Sequence, residues 1–110
     1  MLDFFKTMFV KNYENLSGEE FKSLFEATPG AVLLDVRTKG EFQSGTIKGA
    51  KNVDLMSPNF NEQIEKLDKS KTYFLFCRSG NRSGQACNIM ASKDLKVYNL
   101  AGGIGAWPSK

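Results

Sequence analysis

Two short runs, Ala31 to Val36 and Thr72 to Phe76, are apolar almost throughout and do not alternate with polar residues. A strand with one wet face alternates; a strand covered on both faces need not. Both runs therefore read as strands of a sheet sandwiched between other elements. The segments around them carry helical patterns. Ser17-Gly18-Glu19-Glu20 is a capping box, with Leu16 and Phe21 at the staple positions on either side. Phe21, Leu24 and Phe25 then share one face, and Pro29-Gly30 ends that helix.

The rest of the chain continues the alternation. A short helical turn is expected around Lys39 to Gln43, and a weak strand near Asn52 to Asp54. Ser57 reads as an N-cap with Pro58 at the first helical position, and Phe60, Ile64 and Leu67 as the buried stripe of that helix. A further helix is expected from about Arg82 to Ser92, and a last strand from Val97 to Leu100. Gly102-Gly103 then turns the chain into a tail holding Trp107, which reads as a plug of the core. The implied class is α/β: a small, mainly parallel sheet with helices on both faces. In such sheets ligands sit outside the carboxyl ends of the strands.

At 110 residues the chain has room for one domain with a core of its own, without disulfide or metal support. Residues 12–110 are read as that domain. Residues 1–11 are read as a short apolar extension, in which Leu2, Phe5, Met8 and Phe9 fall on one helical face. That stripe either caps the domain's own core or meets a partner. Asp3 and Lys6 interrupt the segment, and it is too short to span a bilayer and poor as a signal peptide. The net charge of +3 is scattered among both signs, and the densest basic stretch, Lys66 to Lys71, has no interleaved aromatics. That speaks for a solvated surface and against nucleic-acid binding. Cys77 and Cys87 give neither a disulfide framework nor metal-ligand spacing. Free thiols suit a reducing compartment, so the cytoplasm is the expected location, with no metal and no cofactor.

The chemistry concentrates after the second run. Phe74-Leu-Phe-Cys77-Arg78-Ser79-Gly80-Asn81-Arg82-Ser83 delivers one thiol into a short loop of donors and flexible backbone. A lone cysteine after an apolar strand is ordinarily a small buried hydrophobe. Here the following residues make a poor continuation of a core strand. They are suited to curling N–H groups around one point, since Gly80 and Asn81 tolerate positive φ. The next helix would aim its N-terminus at the same place. The chain has no histidine, so a reactive Cys77 must be activated by this cradle and not by an imidazole. A thiolate-rich Cys77 at neutral pH is the expectation.

These residues resemble the active-site loop of rhodanese-like sulfurtransferases. Leu33-Leu-Asp-Val-Arg37, Glu41-Phe42 and Gly45-Thr-Ile-Lys-Gly-Ala-Lys-Asn52 look like the family's preceding segment. Tyr98-Asn-Leu-Ala-Gly-Gly-Ile104 with Trp107 looks like its closing motif. The resemblance implies that Cys77 attacks the outer sulfur of a small anionic donor such as thiosulfate and holds a persulfide. A thiol or protein acceptor would then take that sulfur. It also implies that Arg78 and Arg82 guide anionic donors, while the loop from Arg78 through Ser79, Gly80, Asn81 and Arg82 to Ser83 binds the sulfur. Related phosphatases place one residue more between cysteine and arginine; the shorter span from Cys77 to Arg82 suits a single sulfur atom. Thr46 and Lys48 stand where family members usually carry histidine and proline, and an altered rim is expected there.

Around the loop, Asp35 and Arg37 fall on one side of their strand. They read either as support for the loop or as a surface ion pair of little worth. Glu41 has two possible partners, Arg37 and Arg82. Cys87, on the helix behind the loop, reads as a packed small residue or as a resolving thiol. Two functional classes stand: a sulfurtransferase working through Cys77, and a non-catalytic binding module or persulfide carrier fed by a partner protein.

Overall fold

The computed structural model describes residues 13–109. The apolar stripe of Leu2, Phe5, Met8 and Phe9 lies outside the described residues. Five parallel strands form one sheet: β1 (Glu14–Leu16), β2 (Ala31–Asp35), β3 (Lys51–Asn52), β4 (Thr72–Phe76) and β5 (Lys96–Leu100). Their order is β1-β5-β4-β2-β3, which makes β4 the central strand. Four helices connect them: α1 (Gly18–Ala27), α2 (Lys39–Ser44), α3 (Phe60–Glu65) and α4 (Asn81–Ala91). The sheet is parallel throughout and the α/β class is as read from the sequence.

The two apolar runs are continuous because successive side chains enter different cores. Leu34, Val36, Tyr73, Leu75 and Cys77 point to one face, where Phe60 and Ile64 of α3 and Ala86, Cys87 and Met90 of α4 cover them. Leu33, Phe74, Phe76 and Leu100 point to the other, beneath Phe21 of α1 and Trp107. The second core is aromatic: Phe21 and Phe25 both meet Phe74 edge-on at 5.4 Å, and Trp107 lies 6.1 Å from Phe21. Trp107 thus plugs the core as its sequence context predicted.

The capping box at Ser17 forms as read, with Ser17 Oγ accepting from Glu20 N and Glu20 Oε1 accepting from Ser17 N, each at 3.2 Å. Two expectations need correction. The helix assigned to Ser57-Pro58 starts later, at Phe60 with Asn59 as N-cap: Ser57 Oγ does accept from Asn59 N at 3.4 Å, and Ser57 O from Phe60 N at 3.1 Å, but these bonds close a turn ahead of the helix. Leu67 falls beyond that helix, although it still packs on the core. The end of α4, which lacks a glycine, nevertheless contains a left-handed residue. Asp94 adopts φ 66°, and Leu95 N returns to Met90 O at 3.1 Å. Finally, β1 carries no strand signal of its own; its three residues are held by pairing with Tyr98, Asn99 and Leu100.

Candidate active site

β4 carries Cys77 out of the centre of the sheet, and three neighbouring segments converge on it. β2 contributes Asp35, which is in register with Phe76. α4 starts four residues beyond the cysteine. The turn after β5 closes from the other side, where Ile104 N donates to Cys77 O at 2.8 Å.

The loop is shaped by two glycines. Gly80, the N-cap of α4, has φ +97°, a left-handed conformation that a side chain would strain. A Cβ there would also meet Leu100 O at 3.2 Å. Gly103 (φ +79°) lies against the loop backbone so closely that a Cβ would fall 2.0 Å from Arg78 O. Asn81 does not take the positive φ its residue type permits; it is the first residue of α4.

The result is a set of donors around Sγ of Cys77, whose residue is only 1% exposed. Gly80 N–H donates at 3.0 Å and the Ser83 hydroxyl at 3.4 Å. Burial pushes the thiol pKa up, but the Ser83 hydroxyl and the backbone N–H groups of Ser83, Gly80 and Ser79 more than offset it. The net shift is downward, toward thiolate. Cys87 behaves oppositely. It is fully buried on α4, and burial drives its pKa far up, with the nearby Cys77 adding to the rise. A thiol held protonated in this way is a poor nucleophile.

The two loop arginines have different surroundings. Arg82 is locked in a bidentate ion pair with Glu41, Nη1 to Oε1 at 2.8 Å and Nη2 to Oε2 at 3.0 Å. This settles the partner of Glu41 left open by the sequence. Glu41 is itself held in place, because it closes a second capping box with Thr38 at the start of α2. The Thr38-x-x-Glu41 spacing is itself a capping-box signal in the sequence. Hydrogen bonds from Arg82 above all, then from Thr38, lower the Glu41 pKa to about 2. Arg78 is exposed and makes no ion pair among the described residues. Of the two loop arginines it is the one whose charge has no carboxylate partner among the described residues.

Asp35 and Arg37 form a buried pair, not a surface one: they are 0% and 7% exposed. Arg37 Nε donates to Asp35 Oδ1 at 2.9 Å and Nη2 to Oδ2 at 2.7 Å. Thr46 Oγ1 adds a third bond to Oδ2 at 2.9 Å, so Thr46 supports the buried carboxylate. Asn52 Nδ2 donates to the carbonyls of both Asp35 and Arg37. The pair touches the loop indirectly: Arg37 lies 6.0 Å from the ring of Phe76, and Val36 N donates to Phe76 O at 3.0 Å. It steadies the residue before Cys77 and does not reach the sulfur. Asn99, part of the closing motif, grips Gly80 O through Nδ2 at 3.1 Å.

The chain is thus an α/β domain that presents one cysteine from the end of its central strand to hydrogen-bond donors of the following loop and helix. Residues 17–110 match the family model described as the rhodanese-like domain, and the chain belongs to that family. It is 35% identical over 94 residues to YtwF of Bacillus subtilis (strain 168), a protein with sulfurtransferase in its name, covering 86% of this chain and 89% of that one. It is 29% identical over 99 residues to the thiosulfate sulfurtransferase GlpE of Pseudomonas fluorescens (strain SBW25), covering 89% and 87%. A crystal structure of a rhodanese-like domain protein from Staphylococcus aureus shares the fold, with a TM-score of 0.75, 23% identity, and 88% and 93% of the two chains covered.

Among the described residues, no group of three or more His, Cys, Asp or Glu side chains is placed to hold a metal ion. No helix among them is long and apolar enough to cross a membrane.

Proposed function

We propose that the protein is a sulfurtransferase that moves a sulfane sulfur from a small anionic donor such as thiosulfate to a thiophilic acceptor, through a persulfide on Cys77. One observation carries the reading: the Cys77 sulfur is ringed by hydrogen-bond donors that outweigh its burial and favour the thiolate. The thiolate attacks the outer sulfur of thiosulfate and a new S–S bond forms. The bond from that sulfur to the sulfonate sulfur breaks, and sulfite leaves with its electron pair. No proton has to move, so the absence of histidine from the chain is no obstacle. The negative charge passes to the outer sulfur of the persulfide, where the same N–H groups and the N-terminus of α4 stabilise it. Arg78 is the group that meets the donor's sulfonate, and Arg82 serves the shape of the loop. The acceptor in the second step is a thiol or a protein thiol.

The test is the intact mass of the reduced protein after thiosulfate treatment and desalting, beside Cys77→Ala. One added sulfur atom, removable by cyanide and absent from the variant, is the expected result. An addition that persists in Cys77→Ala would move the site to Cys87. No addition would remove thiosulfate as the donor and turn the assignment to a carrier loaded by a partner protein.

A further inference from the structure

Beside the sulfur cradle, a groove of about 310 Å³ runs between β1, β5 and the first turns of α4. Tyr13, Asn15, Asn81, Gln85, Asn88 and Asn99 line it, together with Gly80 and Gly84. The lining holds five carboxamides, a phenol and no charged side chain. Asn81, Gln85 and Asn88 follow one another at helical spacing along α4, and their side chains have no hydrogen bond among the described residues. Gly84 keeps the groove open, since a Cβ there would reach 3.3 Å from Tyr13 Oη and 3.6 Å from Asn99 Nδ2.

Asn99 supplies the second observation. Its residue is 3% exposed, and Nδ2 donates to both Asn15 Oδ1 at 2.7 Å and Gly80 O at 3.1 Å. The Gly80 carbonyl fixes the amide's orientation, because the flipped form would set oxygen against a backbone oxygen. Oδ1 of Asn99 is then a buried acceptor without a donor. Buried polar atoms rarely stay unpaired, so this acceptor, on a residue of the groove's lining, favours any N–H or O–H that a small shift of the wall lets reach it.

We propose that the groove is the acceptor subsite, and that it takes the peptide portion of an uncharged peptide thiol. The proposal rests on the sulfur-transfer reading of Cys77. Carboxamides offer donor and acceptor side by side, as a peptide group does, and with no ionic residue the groove has nothing to hold a charged headgroup. Its volume lies at the small end of ligand sites, enough for a short stretch of chain. Gly80 places it next to the chemistry: the residue that lines the groove also donates its N–H to Cys77 Sγ. In the transfer, the acceptor sulfur bonds to the outer persulfide sulfur, and the bond from that sulfur to Sγ breaks. Cys77 keeps the electron pair as thiolate, and the acceptor's thiol proton ends on the transferred sulfur.

The probe is acetyl-Gly-Cys-Gly-amide, used S-methylated for binding and as the free thiol for transfer, with 2-mercaptoethanol as the acceptor lacking amides. Binding is read from the side-chain amide NMR signals of Asn99 and Gln85 in the intact chain. Saturable shifts at these groups are expected, weakened about tenfold in Gln85→Leu/Asn88→Leu by the loss of two hydrogen-bonding groups at exposed positions. The loaded wild-type protein should also prefer the peptide thiol over 2-mercaptoethanol, and the double variant should lose that preference. No saturable shift, or shifts indifferent to the double variant, would leave an ordinary water on Asn99 and overturn the subsite. Equal transfer to both thiols would overturn its acceptor role. The S-methyl peptide cannot accept sulfur, so binding without any loading from thiosulfate would uphold the groove and count against the donor reaction alone.

Discussion

At the scale of the residue, the site is a competition between burial and hydrogen bonding at one sulfur. Burial alone would leave Cys77 as inert as Cys87, two buried thiols whose pKa values move in opposite directions. What separates them is the donors. The Ser83 hydroxyl is the largest of the favourable influences on Cys77, and Ser83 is itself fully buried, so Ser83→Ala removes a donor without opening the fold. Hydrogen bonds to charged groups contribute about 1.5–3 kcal/mol, so the Cys77 pKa should rise by about one to two units. The pH dependence of iodoacetamide alkylation measures this directly: the wild-type midpoint should lie below the ~8.5 of a free cysteine, and the variant's above the wild type's. Arg78 calls for a different signature. It is exposed and unpaired among the described residues, so Arg78→Ala should leave the urea midpoint unchanged. Loss of a charge-assisted contact to the donor should lower kcat/KM for thiosulfate by about 10- to 100-fold, with little change in alkylation by neutral iodoacetamide. A matching loss in both assays would place Arg78 in the cradle and not at its mouth.

At the scale of the element, the sulfur loop is clamped from two sides, by the turn after β5 and by α2. Gly103 stands against the loop with no room for a methyl group, since a Cβ would fall 2.0 Å from Arg78 O and 2.6 Å from Ser79 N. These are backbone atoms and cannot swing aside. Gly103→Ala should therefore cost stability by overpacking and by its positive φ together, about 2–4 kcal/mol, and should depress sulfur loading even under conditions where the variant is folded. Urea denaturation beside the mass assay checks both; a variant with native stability would mean that the turn yields. The clamp from α2 is ionic. Glu41→Gln keeps the capping function, because glutamine can close the box with Thr38, but it removes the charge facing Arg82. The pair is partly exposed, so the expected loss is only about 1 kcal/mol near neutral pH. Its pH dependence is more telling. A carboxylate whose folded pKa is lowered adds stability above its unfolded value of ~4.3, and that stability is lost as pH falls toward the folded value. The wild type should therefore lose this contribution between about pH 4.3 and the folded value of about 2, and Glu41→Gln should show a shallower acid limb in thermal melts.

At the scale of the whole molecule, what was legible in the sequence was local and what escaped was long-range. The apolar runs, the Ser17 capping box and the Cys77 loop could be read because each is specified within a few consecutive residues. Glu41 and Arg82 lie 41 positions apart, and Asn15 and Asn99 lie 84 apart; nothing within either segment names its partner. β1 escaped for the same reason, since its pairing with β5, not its own propensity, makes it a strand. Ser57-Pro58 misled because the serine caps a single turn, and the helix proper begins only at Phe60. One global property needs no structure at all: the chain has no histidine. Without an imidazole, the thiols are the only side chains of this chain whose ordinary pKa falls between the carboxylate range and that of lysine and tyrosine. Of the two thiols, Cys87 is pushed upward out of that range, and Cys77 is lowered from its ordinary value toward neutrality. Sulfur loading should then follow a single ionisation, with kcat/KM rising tenfold per pH unit below the Cys77 pKa and level above it, and without the falling limb that a general acid would impose. The rise should move upward with Ser83→Ala by the same amount as the alkylation midpoint. A bell-shaped profile, or a rise that Ser83→Ala leaves in place, would require a second titrating group and would end the account in which the cradle alone makes Cys77 a nucleophile.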